Sequence, residues 1–371
     1  MGVFDNLFGT GKKRNTISFF VNSFGNQQTR GVYTFKLDID SGELLFRKYF
    51  TTPTDPFYSF NYGRFVCTTY RNRTGTAADG GICSYTSTAE TLALVSRLSD
   101  HGKTYVHACT DGDDETATKI FAVDYHNGQV MVGRINKKKL KHVLFKYSIE
   151  GHSVHPTRQA NAHPCYVGFT PDDKLYVVDL GIDKVLFFDV KDDGTLLLDE
   201  KSSVLLPAGS GPRKMIFSQD GKFAYILNEL SNTIMVYSYK SMKFTLVQTV
   251  DTYDKTAFPN ANTFAGQFVF SEDEKYAFAC NKGHDTVSSF SVNSETGKLT
   301  YCDFMDTSFN PVDIDVVNNR WLVIACQKGG TVEVVEYVAE KKGLLFETKH
   351  SYLVNEPVCI TRFVDITERK L

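Results

Sequence analysis

Along this chain apolar residues recur at every second position in short runs. Each run ends in a small polar residue, then a turn, then a second apolar run. The clearest copies are KLYVVDLGIDKVLFFDV, FAYILNELSNTIMVYSY, YAFACNKGHDTVSSFSV and WLVIACQKGGTVEVVEY. A period of two is the signature of half-buried strands, and no stretch repeats convincingly at the 3.6 of a helix. The polar ends fall at Asp179, Asn228, Asn281 and Gln327, spaced 49, 53 and 46 apart. Read backwards, the same pattern gives Asp124, Thr68 and Asn22. Seven units of about 53 residues result, the size of a propeller blade.

Turn chemistry agrees with the period. Gly and Asp recur after the third strand of a unit, as in Asp40-Ser41-Gly42, Asn127-Gly128, Asp193-Gly194, Thr296-Gly297 and Lys342-Gly343. A second turn precedes the polar-ended strand, as in Pro171-Asp172-Asp173 and Gln219-Asp220-Gly221. Such residues supply the backbone angles that hairpins need. One strand is left over, from Pro357 to Val364, and it is predicted to complete the blade begun at Thr16–Phe20. Closing the ring in this way removes open sheet edges. The expected fold is therefore all-β: one seven-bladed propeller over 16–371, closed by the C-terminal strand, behind a flexible tail at 1–15. A β-solenoid or a pair of β-sandwiches is the alternative.

Composition narrows the function. With 41 Lys plus Arg against 43 Asp plus Glu, the net charge is −2, so the basic excess of a nucleic-acid or membrane-surface binder is missing. No stretch has the roughly 18 uncharged apolar residues that span a bilayer. The eight cysteines are scattered with no C-x-x-C pair, most of them in apolar runs such as YAFAC and LVIAC. They read as reduced core thiols of a cytoplasmic protein. No set of residues has metal-site spacing, and no cofactor motif is found; Gly9-Thr10-Gly11-Lys12-Lys13 lacks the earlier Gly and the following Ser or Thr of a P-loop.

One ordered set of motifs goes further. Ser153-Val154-His155-Pro156-Thr157-Arg158-Gln159 is followed by Asn161-Ala162-His163-Pro164, then by Gly209-Ser210-Gly211-Pro212-Arg213, Leu227-Asn228-Glu229 and Asn281-Lys282-Gly283-His284-Asp285. In this order they resemble the lactonase family of seven-bladed propellers, which includes bacterial-type 6-phosphogluconolactonases and, more distantly, carboxymuconate cyclases. The resemblance implies hydrolysis of a small anionic sugar lactone, 6-phosphogluconolactone in the first place, with catalytic His163, Arg213 and Glu229. It assigns Arg213 to the oxyanion, and Glu229 and His163 to proton transfer in either order. Arg158, Gln159, Lys214, Gln267 and Lys282 are the expected substrate contacts, and neither a metal nor a cofactor is implied.

This chain departs from the family pattern at four places. Cys165 stands where a second imidazole is usual, Lys214 follows Gly-Pro-Arg in place of His, Gln267 falls near an acidic position, and Lys282 replaces an Arg. Two other functions stay open: a muconate cycloisomerase-like reaction, and a non-catalytic propeller binding a protein or metabolite. His107 reads as structural at least as readily as functional, His152 and His155 as exposed loop residues, and Lys137–Lys141 as a solvated turn.

Overall fold

The computed structural model describes residues 15–72, 79–340 and 343–363. They form seven antiparallel sheets, six of them built from consecutive strands. The seventh, blade 1, joins Thr16–Ser23, Gly31–Asp38 and Leu44–Phe50 to Pro357–Phe363. The closing strand pairs with the first from Ser18 opposite Phe363 to Ser23 opposite Pro357. Blade 4 carries a short extra strand, Val204–Leu205, after a single 3-10 turn at Glu200–Ser202. Among the described residues no helix is long and apolar enough to cross a membrane. Residues 1–14, and with them the P-loop-like segment, lie outside the described residues.

The alternating pattern explains where the core lies. Each sheet buries both faces against its neighbours, so the apolar clusters sit between blades. Phe19, Phe35, Trp321 and Val334 fill the space between blades 7 and 1, and the Trp321 indole Nε1–H donates to Ile39 O at 2.8 Å. Side chains of this kind contribute about 1.5–3 kcal/mol each when fully buried. Gly42 in the adjoining turn has a φ of +74°, and a Cβ there would lie 2.5 Å from the Trp321 ring. The seam between blades 1 and 2 is thinner, built on Phe20, Val32, Val66 and Phe363, with the Phe20 and Phe363 ring centres 4.3 Å apart.

The inner strands carry a repeated irregularity that positions the site. They are Pro56–Tyr62, Tyr105–Thr110, Pro164–Phe169, Pro212–Phe217, Phe264–Phe270, Pro311–Val317 and Pro357–Phe363. Every one shifts register at the channel mouth: Pro164 faces Asp179 but Tyr166 faces Val178, and Pro212 faces Asn228 but Lys214 faces Leu227. The other five repeat the slip after Pro56, Tyr105, Ala265, Pro311 and Pro357. A bulge of this type re-aims side chains, here the two residues after the slip point. The same register corrects three of the expected polar strand ends: Pro357 faces Ser23, one residue after Asn22, and Pro311 faces Cys326, one residue before Gln327. In blade 2 the strand runs on past Thr68 to Asn72, and Tyr70 occupies the place of Asp179 and Asn228. Thr68 instead faces inward, its hydroxyl 2.8 Å from that of Ser59.

Candidate functional site

Two rings of side chains follow from the seven bulges. The upper ring is Phe57, Val106, Cys165, Arg213, Gly266, Val312 and Val358; the lower is Tyr58, His107, Tyr166, Lys214, Gln267, Asp313 and Cys359. All except Gly266 line one cavity of about 560 Å³ at the channel mouth, together with Arg158, Glu229 and Lys282 from the loops and second strands. That volume is in the range of small-molecule sites.

Arg213 reaches the cavity because the turn before it is pinned. The buried Asp183 carboxylate accepts from Gly209 N at 2.8 Å and Gly211 N at 2.6 Å. Gly211 has a φ of +60°, and a Cβ there would meet Leu230 at 2.3 Å, so only glycine lets the two loops approach. Across this contact Glu229 N donates to Gly211 O at 2.7 Å, which fixes Glu229 at the end of the neighbouring strand. Arg213 Nε then donates to Gly266 O at 2.5 Å, and its Nη1 donates to Glu229 Oε2 at 2.6 Å.

Glu229 is the centre of the cluster. Its side chain is 3% exposed, and besides Arg213 it accepts from Arg158 Nη2 at 2.9 Å and Lys282 Nζ at 3.2 Å. Burial alone opposes its ionisation, but the charges of Lys282, Arg213 and Arg158 outweigh it and hold the carboxyl well below the usual carboxylate range. Three cations on one carboxylate leave positive charge in excess. Lys282 is itself pushed down to about 8, chiefly by burial and against the pull of Glu229.

The floor is a chain of paired groups. Lys214 Nζ donates to Gln267 Oε1 at 2.7 Å and Phe268 O at 3.0 Å, and Gln267 Nε2 donates to Asp313 Oδ1 at 2.8 Å. Asp313 Oδ2 accepts from Ile360 N at 2.7 Å, and burial raises its pKa. Burial pushes Lys214 down to about 8. Beside it His107 is sandwiched between Tyr58 and Tyr166, with ring centres 4.2 and 3.9 Å away. Burial, with Lys214 adding to it, keeps that imidazole neutral far below its ordinary range.

Of the expected site residues, Arg158, Arg213, Lys214, Glu229, Gln267 and Lys282 line the cavity. His163 and Gln159 do not. His163 precedes the proline that opens the inner strand, so it belongs to the entry loop and not to the rings. Its backbone N donates to Asp179 Oδ1 and its Nδ1 to Tyr125 O, both at 2.8 Å, with the ring stacked on Tyr125. Gln159 is fully buried as a brace, donating to Leu180 O at 2.9 Å and accepting from His155 N at 3.1 Å. The ring position of blade 4 falls on Cys165, whose thiol lies 3.3 Å from the carbonyls of Pro212 and Arg213. Phe57, Val106, Val312 and Val358 are missed by sequence reasoning. The signal that marks Phe57, Val312 and Val358 is the proline opening five of the seven inner strands, followed by the two inward residues; Val106, after Tyr105, has no such mark.

A closed seven-bladed propeller with a cationic cavity at its channel mouth is the class that these features define. The family model for the lactonases, described as a 7-bladed β-propeller, matches residues 18–362, and the chain belongs to that family. It is 27% identical over 351 residues to the 6-phosphogluconolactonase of Bacillus subtilis, covering 92% of this chain and 97% of that protein. It is equally 27% identical to an uncharacterized protein of Staphylococcus saprophyticus, over 85% of this chain and 90% of the relative. Among solved structures, the periplasmic gluconolactonase of Pseudomonas aeruginosa superposes with a TM-score of 0.86 at 22% identity, over 95% of this chain and 100% of that one. A Lactobacillus plantarum protein gives 0.83 at 23%, over 94% and 100%. At these identities the two structures speak for the fold.

Proposed function

We propose that this chain hydrolyses a lactone carrying an anionic group, and that Arg213, Glu229 and Lys282 do the chemistry. The observation that carries the reading is the convergence of Arg158, Arg213 and Lys282 on the buried Glu229 carboxylate beside the cavity. When water attacks the ester carbonyl, the carbonyl oxygen becomes an oxyanion, and a fixed guanidinium such as Arg213 is suited to stabilise it. Glu229, held ionised, orients the water and takes its proton only as the new C–O bond forms. His163 lies outside the cavity, so the ring oxygen that leaves is protonated by Lys282, whose pKa of about 8 suits a donor near neutral pH. One water is added across the acyl C–O bond and a hydroxy acid departs. The excess positive charge favours a substrate with a phosphate or carboxylate.

The Bacillus subtilis relative's name makes 6-phosphogluconolactone the first substrate to try. A cytoplasmic setting fits the same reading, since Cys67, Cys83, Cys280, Cys326 and Cys359 are buried free thiols. The test is hydrolysis of freshly generated 6-phosphogluconolactone and of the unphosphorylated gluconolactone, each corrected for spontaneous opening. The phosphorylated lactone should turn over faster, with 6-phosphogluconate competing and gluconate competing poorly. Equal turnover of the two lactones, with equal competition by the two acids, would remove the anionic reading.

A further inference from the structure

Most of the charged groups that line the cavity stand on one side, around Glu229; Asp313 on the floor and Lys328 at the mouth, both from blade 7, are the exceptions. In the upper ring Arg213 is the only charged member, and Phe57, Val106, Val312 and Val358 form a continuous arc across blades 7, 1, 2 and 3. All four are half-buried inside a closed ring of strands, with Phe24 extending the arc upward by an edge contact to Phe57 at 4.5 Å. Beneath the arc the floor is a row of Tyr58, His107 and Tyr166, with the faces of the rings turned to one another. Elsewhere on the floor Lys214, Gln267 and Asp313 spend hydrogen bonds on one another and on the backbone. At the mouth Asn310 Nδ2 donates to Gln327 Oε1 at 3.1 Å.

A lactone hydroxylated at every carbon, seated with its anion on the charged wall, would turn hydroxyls towards this arc. Each hydroxyl that loses its water and finds no partner costs on the order of tenfold in affinity or more. An alkyl or aryl body in the same place gains from burying its surface against the arc. We infer that the substrate is amphipathic: an anionic lactone whose body, the part facing Phe57, Val106, Val312 and Val358, is apolar and not polyhydroxylated. This rests on the lactonase reading for the reaction and on the charged wall for the anion, and it adds the chemistry of the opposite end.

The test compares two esters with the same head group, phenyl phosphate and glucose 6-phosphate, by calorimetry on the full chain. Phenyl phosphate should bind at least about tenfold more tightly. Arg213→Ala should weaken both by a similar factor, because the head they share sits on the charged wall. The near-isosteric Val106→Thr and Val358→Thr, which place hydroxyls on the arc, should narrow the gap between the esters without moving the affinity for inorganic phosphate. Equal or tighter binding of glucose 6-phosphate to the unaltered chain overturns the apolar body and leaves the anionic lactonase reading standing. If neither ester binds, the amphipathic substrate falls, and the lactonase reading is decided separately by the hydrolysis of the two lactones.

Discussion

The two sides of the channel mouth are built by opposite means from the same repeated strand. In blades 4 to 6 an inner strand brings in Arg213, while the loops and second-strand ends add Arg158, Glu229 and Lys282, and order comes from charge: three cations share one buried carboxylate. In blades 7, 1, 2 and 3 the upper-ring position that Arg213 holds in blade 5 carries Val312, Val358, Phe57 and Val106, and order comes from packing. Backbone geometry does not distinguish the two halves, since the same register slip occurs in both. What differs is the pair of residues placed after the slip, together with Arg158, Glu229 and Lys282, which loops and second-strand ends add beside blades 4 to 6. The scaffold fixes where the ring side chains point, and the residue types there and on the adjoining loops decide whether a sector attracts anions or hydrocarbon.

The largest effect should come from removing the element that completes the apolar half. A chain ending at Glu356 loses Val358 and leaves Thr16–Ser23 as an open edge. Thermal unfolding should lose its cooperativity, and an unchanged transition would show that the ring does not depend on this closure.

Breaking the charged half should spare the fold and damage the reaction. Glu229→Gln or Arg213→Ala is expected to lower lactone hydrolysis by about 10²-fold or more, the scale of losing an oxyanion donor or a proton acceptor. His163→Ala is the control from outside the cavity and should stay within about threefold of the parent kcat. If His163→Ala fell as far as Arg213→Ala while both variants stayed folded, the division between loop and ring would be wrong.

The smallest effect is a pH dependence confined to the charged half. Lys214 and Lys282 each titrate near 8. Losing a proton from either removes a positive charge, so affinity for an anion should fall as pH rises through about 8, with Arg158 and Arg213 keeping a residue of binding above it. Phenyl sulfate is a suitable ligand because its own charge does not change over this range. Lys282→Arg should flatten part of the decline, and a flat profile in the unaltered chain would place both lysines outside the binding step.

Much of this architecture was legible because the repeat is expressed in local chemistry. The period of two, the Asp-Gly and Asn-Gly turns and the leftover strand at Pro357 each have a physical cause that acts over a few residues. That Arg213 and Glu229 stand at the cavity was legible for the same reason: a Gly-Ser-Gly-Pro turn and a polar strand end mark where chain enters or leaves a blade. That His163 falls outside the cavity was not legible, because only the pairing between strands shows that the inner strand opens at Pro164 and that the inward positions begin at Cys165. The apolar arc was missed on similar grounds. Val106, Val312 and Val358 are the residues a strand interior would hold anyway, and only the ring reveals that they face a cavity. Thr68 failed as a strand end because blade 2 ends its second strand with Tyr70-Arg71-Asn72, against the small polar residue that stands opposite the slip point in blades 1 and 3 to 6.

The pairing of Ser18 with Phe363 sets a schedule for synthesis. On the ribosome every blade from the second to the seventh has all of its strands before the first blade has its fourth. At about 5–20 residues per second, the edge Thr16–Ser23 waits roughly 20–70 s for its partner. Through that interval a nascent chain presents an unpaired strand that another nascent chain's corresponding segment is equally able to fill. Crowded translation of one message is therefore the condition in which this protein is most exposed to strand exchange, and release of the residues beyond Glu356 is the event that ends the risk.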